Sequence, residues 1–234
     1  MKELRVAFYK RWGKHSKPYF KWQAEQISEY TGKRIADIGC GLGNFAELFS
    51  DKELYLGFDP DESVRKEIRR LEYPENFRLA DTGDICLDET VNEIDVNGID
   101  TVICINTLEH IKDDKQALIN MVKAVKKDGH VCLIVPALRC LYGSLDEFDG
   151  HYRRYSKKDL LVLTDDLGVD IVLIHYMNMI GSIGWFIKSR IVKEKTYRNT
   201  NFNIIVFLLP MISLLEKCIK PLFGLSLVLV LRKT

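Results

Sequence analysis

Arg34 to Asp59 reads R-I-A-D-I-G-C-G-L-G-N-F-A-E-L-F-S-D-K-E-L-Y-L-G-F-D. An apolar strand runs into a glycine-rich turn, followed by a short amphipathic helix, a second strand and a terminal acid. Gly39, Gly41 and Gly43 permit positive φ and close approach of a ligand to the backbone. Asp59 ends the second strand twenty positions after Gly39, where a carboxylate can accept both hydroxyls of an adenosine ribose. Pro60 follows it at the pocket edge. The pattern describes a nucleoside pocket at the head of a βαβ unit.

The glycine spacing is G-x-G-x-G, with Asn44 in the next place, and not the G-x-G-x-x-G of dinucleotide binders. Asp37, just before the glycines, would repel a phosphate and could hold the ammonium of an amino-acid moiety, directly or through water. On these residues the chain resembles the class I S-adenosylmethionine-dependent methyltransferases. The resemblance implies a doubly wound α/β fold with a seven-stranded, mostly parallel Rossmann-like sheet, and S-adenosyl-L-methionine as cofactor.

The rest of the chain suits that fold. At 234 residues, 47% apolar and 29% charged, the composition is that of one globular α/β unit with room for a cap. Lys plus Arg is 34 against 33 acids, so no global field recruits nucleic acid. Six cysteines show no C-x-x-C pair and no Cys/His metal spacing, and no metal is expected. Their usage, with an N-terminus lacking a secretory h-region, fits a reducing cytoplasm.

Apolar runs predict strands at 34–38, 54–58, 77–80, 99–105, 130–135, 169–176 and 226–232. Helices are expected near 19–30, 44–50, 61–72, 113–127 and 157–167, the last opened by a Ser156/Asp159 capping box. The domain reading is an N-terminal helical lid over 1–31, a core over 32–177 and 225–234, and a helical cap over 178–224.

In an open parallel sheet, ligands bind beyond the carboxyl ends of the strands. After the third strand, A-D-T-G-D-I offers Asp84 with Ile85; by the resemblance these would accept the adenine amino group and flank its ring, with Asp81 as the alternative. The fourth strand ends in I-N-T-L-E-H-I. By the resemblance Asn106 and Leu108 line the methionine half of the cofactor, and His110 stands between a substrate contact and a helix-start histidine. Asp113 and Asp114 complement the positive end of the next helix.

After Val135-Pro136 comes A-L-R-C-L-Y-G-S-L-D-E-F-D-G-H-Y-R-R-Y-S, too irregular for a strand and too glycine-punctuated for a long helix. Methyl transfer needs a nucleophile collinear with the departing sulfur, and a base where that nucleophile carries a proton. His151 is the candidate base by residue type, with Tyr152 and Tyr155 beside it. Arg153 or Arg154 could grip an anionic acceptor and Tyr142 could wall the pocket. The alternative is that these arginines pin the loop to Asp146, Glu147 and Asp149. The run P-A-x-x-x-L-Y-G-x-x-D with G-H-Y-R-R-Y resembles a bacterial and archaeal methyltransferase subgroup of cell-surface glycan and lipid-linked biosynthesis, implying a small-molecule or lipid- or glycan-linked acceptor methylated at oxygen or nitrogen.

The apolar run Phe202 to Leu215 is too short to span a bilayer. Ile204, Ile205, Leu208, Ile212, Leu215, Ile219 and Leu222 recur with helical spacing, with Asn203, Ser213, Glu216 and Lys220 on the outer side. Three readings stay open for 188–222: a packed cap, a homodimer surface, or peripheral contact with the inner membrane face. Two rival functions also stand beside methyl transfer: a nicotinamide-dependent oxidoreductase, and a catalytically silent cofactor-binding module.

Overall fold

The structure is a computed structural model that describes residues 16–194, 209–216, 219 and 221–234. Seven strands form one sheet: β1 (Arg34–Ile38), β2 (Leu54–Phe58), β3 (Phe77–Leu79), β4 (Thr101–Ile105), β5 (His130–Pro136), β6 (Val169–Met177) and β7 (Ser226–Lys233), in the order β3-β2-β1-β4-β5-β7-β6. The first five pair in parallel; β7 runs antiparallel between β5 and β6. All seven predicted strands are present, and the sheet is the doubly wound, mostly parallel one expected.

Side-chain alternation builds two cores, one on each face. Ala36, Val102, Cys104, Leu133 and Leu229 point to one face. Ile35, Ile103, Cys132, Ile134 and Val228 point to the other. Every residue of β2 and β4 is buried, because helices cover both sides of a parallel sheet.

The helices are α1 (16–27), α2 (Glu62–Ile68), α3 (Asp88–Val96), α4 (Asp114–Ala124), α5 (Ser144–Asp149), α6 (Lys157–Thr164), α7 (Met179–Phe186) and α8 (209–216). Local signals set several starts. Asp61 accepts from Ser63 N, Asp113 from Gln116 N, and Ser156 with Asp159 closes the expected capping box. The expected helix at 44–50 is a single 3-10 turn, Ala46–Phe49. α3 was missed by the sequence reading; its N-cap, Leu87, offers no side-chain bond, and it buries only Thr90, Val91 and Ile94.

In α1, Phe20, Trp22, Ala24 and Ile27 join the core under Ile35 and Tyr55, so this helix is a layer of the fold. The remainder of the expected lid, 1–15, lies outside the described residues.

The insertion departs from its helical-wheel reading. Leu215, Ile219 and Leu222, expected inward, are 49%, 65% and 89% exposed, while Leu209 and Ile212 take the core positions. Glu216, expected outward, turns in: its carboxylate accepts from Asn178 N at 2.8 Å and Met179 N at 2.7 Å, where α7 begins with unsatisfied N–H groups. Tertiary capping overrides the wheel. Asn203, Ile204, Ile205, Leu208 and Lys220 lie outside the described residues. A π-helical turn, Ile187–Val192, continues α7. Among the described residues no helix is long and apolar enough to cross a membrane.

Candidate functional site

Strand order reverses between β1 and β4, and the crevice beyond their carboxyl ends gathers the glycine turn and Asn106 to His110. Gly41 has φ +54 and open space where a side chain would start, so its backbone faces a void. Gly39, φ +75, is packed instead: a Cβ there would collide with Thr107 from the end of β4. Gly43 lies under Tyr73, whose hydroxyl donates to Leu42 O at 2.9 Å. Asp59 is 7% exposed and turned toward the glycines, accepting from Gly41 N at 3.1 Å and Asp61 N at 2.9 Å.

Asp37 lies deeper, 2% exposed, and accepts the Tyr55 hydroxyl at 2.6 Å. Burial, helped by the neighbouring charge of Asp59, outweighs the bond from Tyr55 and raises its pKa to about 7. A cationic group entering this end of the crevice would return that carboxyl to its ionised form.

Three residues just past strand ends hold left-handed backbone: Asn106 (φ 49) after β4, Leu138 (φ 63) after β5 and Asn178 (φ 64) after β6. Such conformations cost about 1–3 kcal/mol each and persist where surroundings over-determine them. Asn106 is exposed, and its N–H is held by Ile134 O at 2.8 Å.

On the β4 to β5 side, a second constellation forms around Asp146 on α5, which is fully buried. Its Oδ1 accepts from Arg154 Nε at 2.7 Å and bonds His151 Nδ1 at 2.8 Å. Its Oδ2 accepts from Gly143 N at 3.0 Å and Trp185 Nε1 at 3.4 Å. Burial works against the Asp146 carboxylate, yet the bonds from His151 and Arg154 prevail and hold its pKa below the ordinary value. Burial would likewise lower His151, but Asp146 and Glu109 outweigh it and raise its pKa.

Opposite Asp146, His151 Nε2 lies 4.0 Å from Glu109 Oε1, and the His110 ring meets the His151 ring edge-on at 4.7 Å. Glu109 is 1% exposed, its pKa raised to about 7 by burial, and its Oε2 has no hydrogen-bond partner. Tyr152 N donates to Glu109 O at 2.9 Å, tying the G-H-Y-R-R-Y loop to the end of β4.

Other expected site residues go elsewhere. Arg154 is 3% exposed, ion-paired to Asp146 and stacked at 4.7 Å on Trp185; it pins the loop, the alternative the sequence left open. Arg153 pairs with Asp114 at 2.7 Å and donates to Lys112 O. Tyr155, expected beside the chemistry, is 1% exposed and donates to Asp114 at 2.8 Å; burial and that carboxylate raise its pKa. Tyr152 is 56% exposed, and Tyr142 donates to His151 O at 2.9 Å.

Ile85 and Leu108, expected to touch cofactor, are packed in the sheet core, Ile85 from the turn before α3 and Leu108 from the 3-10 turn after β4. Asp84 is exposed and closes an Asx turn on Cys86 N at 2.9 Å. Asp81 is exposed too, its carbonyl held by Arg65. The loop they share does reach the crevice: a Cβ on Gly83 would strike the backbone of Asp59 and exposed Pro60. The sequence reading missed Glu109 and the centrality of Asp146. For Asp146 a faint signal existed, an acid before a run of two arginines and a histidine.

A family model described as a methyltransferase domain matches residues 20–174. The chain is 32% identical over 101 residues to the ubiquinone biosynthesis O-methyltransferase of Idiomarina loihiensis, a stretch covering 43% of this chain and 41% of that one. It thus spans less than half the length of that curated relative. Among solved structures, a SAM dependent methyltransferase from Archaeoglobus fulgidus superposes with TM-score 0.61 at 20% identity, covering 93% of this chain and 95% of that one. Magnesium protoporphyrin IX methyltransferase from Synechocystis PCC 6803, solved with bound SAH, gives TM-score 0.53 at 13% identity, covering 95% and 84%. At those identities the likeness is one of fold.

Proposed function

The chain belongs to the methyltransferase-domain family, and we propose that it transfers a methyl group from S-adenosylmethionine to a hydroxyl oxygen of a small or lipid-linked acceptor. The observation that carries this reading is Asp59, turned onto the open Gly41 at the switch point of the sheet. That arrangement suits a ribose on the carboxylate with the adenosyl backbone lying along the turn. Asp37, buried at the inner end, suits the cofactor's ammonium. Asp84 or Asp81 would meet adenine from the loop beside Asp59, without Ile85 as a wall.

The acceptor enters from the β4 to β5 side. A hydroxyl there would meet Glu109, His110 and His151, a carboxylate and two imidazoles able to take its proton. The oxygen then attacks the methyl carbon in line. An O–C bond forms as the C–S bond breaks, and the electron pair leaves on sulfur, converting the sulfonium to neutral S-adenosylhomocysteine. Asp146 positions His151 by holding Nδ1. Oxygen rather than nitrogen is supported by the O-methyltransferase relative and by anionic and imidazole groups that would suit a hydroxyl losing its proton.

Lipid linkage is supported by α7, the π-helical turn after it, α8 and the loop before β7, which expose Ile183, Phe186, Ile191, Leu214 and Leu222, with Lys188 and Arg190 in the same π-helical turn as Ile191. Exposed apolar side chains accompanied by cations suit an anionic membrane surface. The likeness of the G-H-Y-R-R-Y loop to the glycan and lipid subgroup points the same way. The test is calorimetric titration with S-adenosylhomocysteine and with NAD, then transfer of labelled methyl to matched phenol, alcohol and amine acceptors with and without anionic vesicles. The reading requires binding of the first ligand, none of NAD, and label on hydroxyl acceptors. Label on amines alone would overturn the oxygen assignment.

A further inference from the structure

We propose that Glu109, His110 and His151 form a binding site for one divalent first-row metal ion of the zinc type. One carboxylate oxygen and one nitrogen from each imidazole lie within 4.8 Å of one another. Donors on a tetrahedral ion with bonds of about 2.1 Å lie roughly 3.4 Å apart. Glu109 Oε1 and His151 Nε2 are 4.0 Å apart, so small side-chain rotations close the site.

Two further observations point to a ligand. Glu109 Oε2 is buried with no hydrogen-bond partner, in a residue 1% exposed. Buried carboxylate oxygens are otherwise satisfied, and a coordinated cation would complete this one. His151 also carries the support that metal-bound imidazoles have. The ionised Asp146 can only accept, so Nδ1 holds a proton at 2.8 Å, and in the neutral imidazole the Nε2 lone pair is left toward Glu109, where a metal ion would take the place of a second proton. Asp146 is in turn fixed by Arg154, Gly143 and Trp185, so the ligand's orientation is built into the fold.

Two imidazoles and a carboxylate favour zinc, manganese or iron over magnesium or calcium, which prefer oxygen alone. Three protein ligands leave an open position, as catalytic sites do. The ion's role in the reaction rests on the methyl-transfer reading. The acceptor's hydroxyl oxygen coordinates there and releases its proton to bulk water. The oxygen is thereby anionic before it attacks the methyl carbon.

The full chain, stripped with chelator, should take up one Zn2+ or Co2+ per chain, the latter with the visible absorption of a low-symmetry nitrogen and oxygen site. Glu109→Gln, which keeps the shape, and part-exposed His110→Ala should each weaken metal affinity at least ~tenfold, and Asp146→Asn by about 10–100-fold through its support of His151. S-adenosylhomocysteine affinity, measured on the same samples, should stay within about twofold in Glu109→Gln. Binding well below one ion per chain, or equal affinity in wild type, Glu109→Gln and His110→Ala, would overturn the site. Metal binding without cofactor binding would leave the site standing and remove the methyl-transfer reading instead.

Discussion

The two halves of the crevice are built on different physical plans. The proposed cofactor side is made of backbone: a glycine turn in which Gly41 leaves space, one strand-end carboxylate, and contacts between neighbours in a βαβ unit. The proposed acceptor side is made of side chains, a buried carboxylate holding an arginine, a histidine and an indole drawn from α5, its following loop and α7. A backbone site tolerates change around it as long as the turn forms. A side-chain hub fails as a unit, because each partner is buried on the assumption that the others are present.

The sharpest way to break that comparison is Asp146→Ala. It leaves the Arg154 guanidinium buried without its counter-ion, and chemical denaturation should show a loss of about 3–5 kcal/mol. A loss under about 1 kcal/mol would reduce the hub to the rank of a surface ion pair.

Asp37 tests the cofactor side by pH. Its carboxyl moves from 3.8 to about 7 on folding, a difference on the order of 4 kcal/mol between its protonation states. Because the folded value is raised, the stability it contributes is present in full below pH 3.8 and is lost as pH rises to about 7. Asp37→Asn should therefore be more stable than wild type at pH 8 and lose that advantage near pH 4, in thermal melts across that range. The same variant should bind S-adenosylhomocysteine more weakly at pH 8, where the wild-type carboxylate is available to an ammonium. Parallel melting curves for the two proteins would place Asp37 outside this role.

Next in size, His151→Ala should lower turnover about 10²-fold or more while S-adenosylhomocysteine affinity stays within a factor of about two. Unchanged turnover removes His151 from the chemistry and leaves the hub structural. Asp59→Ala should do the reverse. It should lose about 1.5–3 kcal/mol of cofactor affinity, roughly ten- to 150-fold by titration, with a smaller change in folding stability. If both variants weaken cofactor binding equally, the division of the crevice into two plans is wrong.

Legibility in the sequence follows the same line. All seven strands and the Ser156/Asp159 box were readable, because period-two burial and capping are set by residues a few places apart. Asp59 was readable because a single βα unit fixes its distance from Gly39. Ile85 and Leu108 were expected at the cofactor and are packed in the core instead, since the direction a loop side chain takes is set by the packing around it and not by its neighbours in sequence. Glu216 was misplaced because its partner, the start of α7, is remote in sequence. The Glu109, His110 and His151 cluster carried no spacing signal, as its members come from two loops brought together by β4 and β5.

The amino-acid order alone determined the sheet, the glycine turn and the acid that answers it, since local sterics and hydrophobic alternation act over a few residues and need nothing distant. Only the tertiary structure decided that Arg154 would be an internal counter-ion, that Asp146 would be shared among four groups, and that a carboxylate oxygen of Glu109 would be buried without a partner. Those outcomes turn on desolvation and on which charges meet once the strands align, quantities that no stretch of sequence carries until the chain has closed around them.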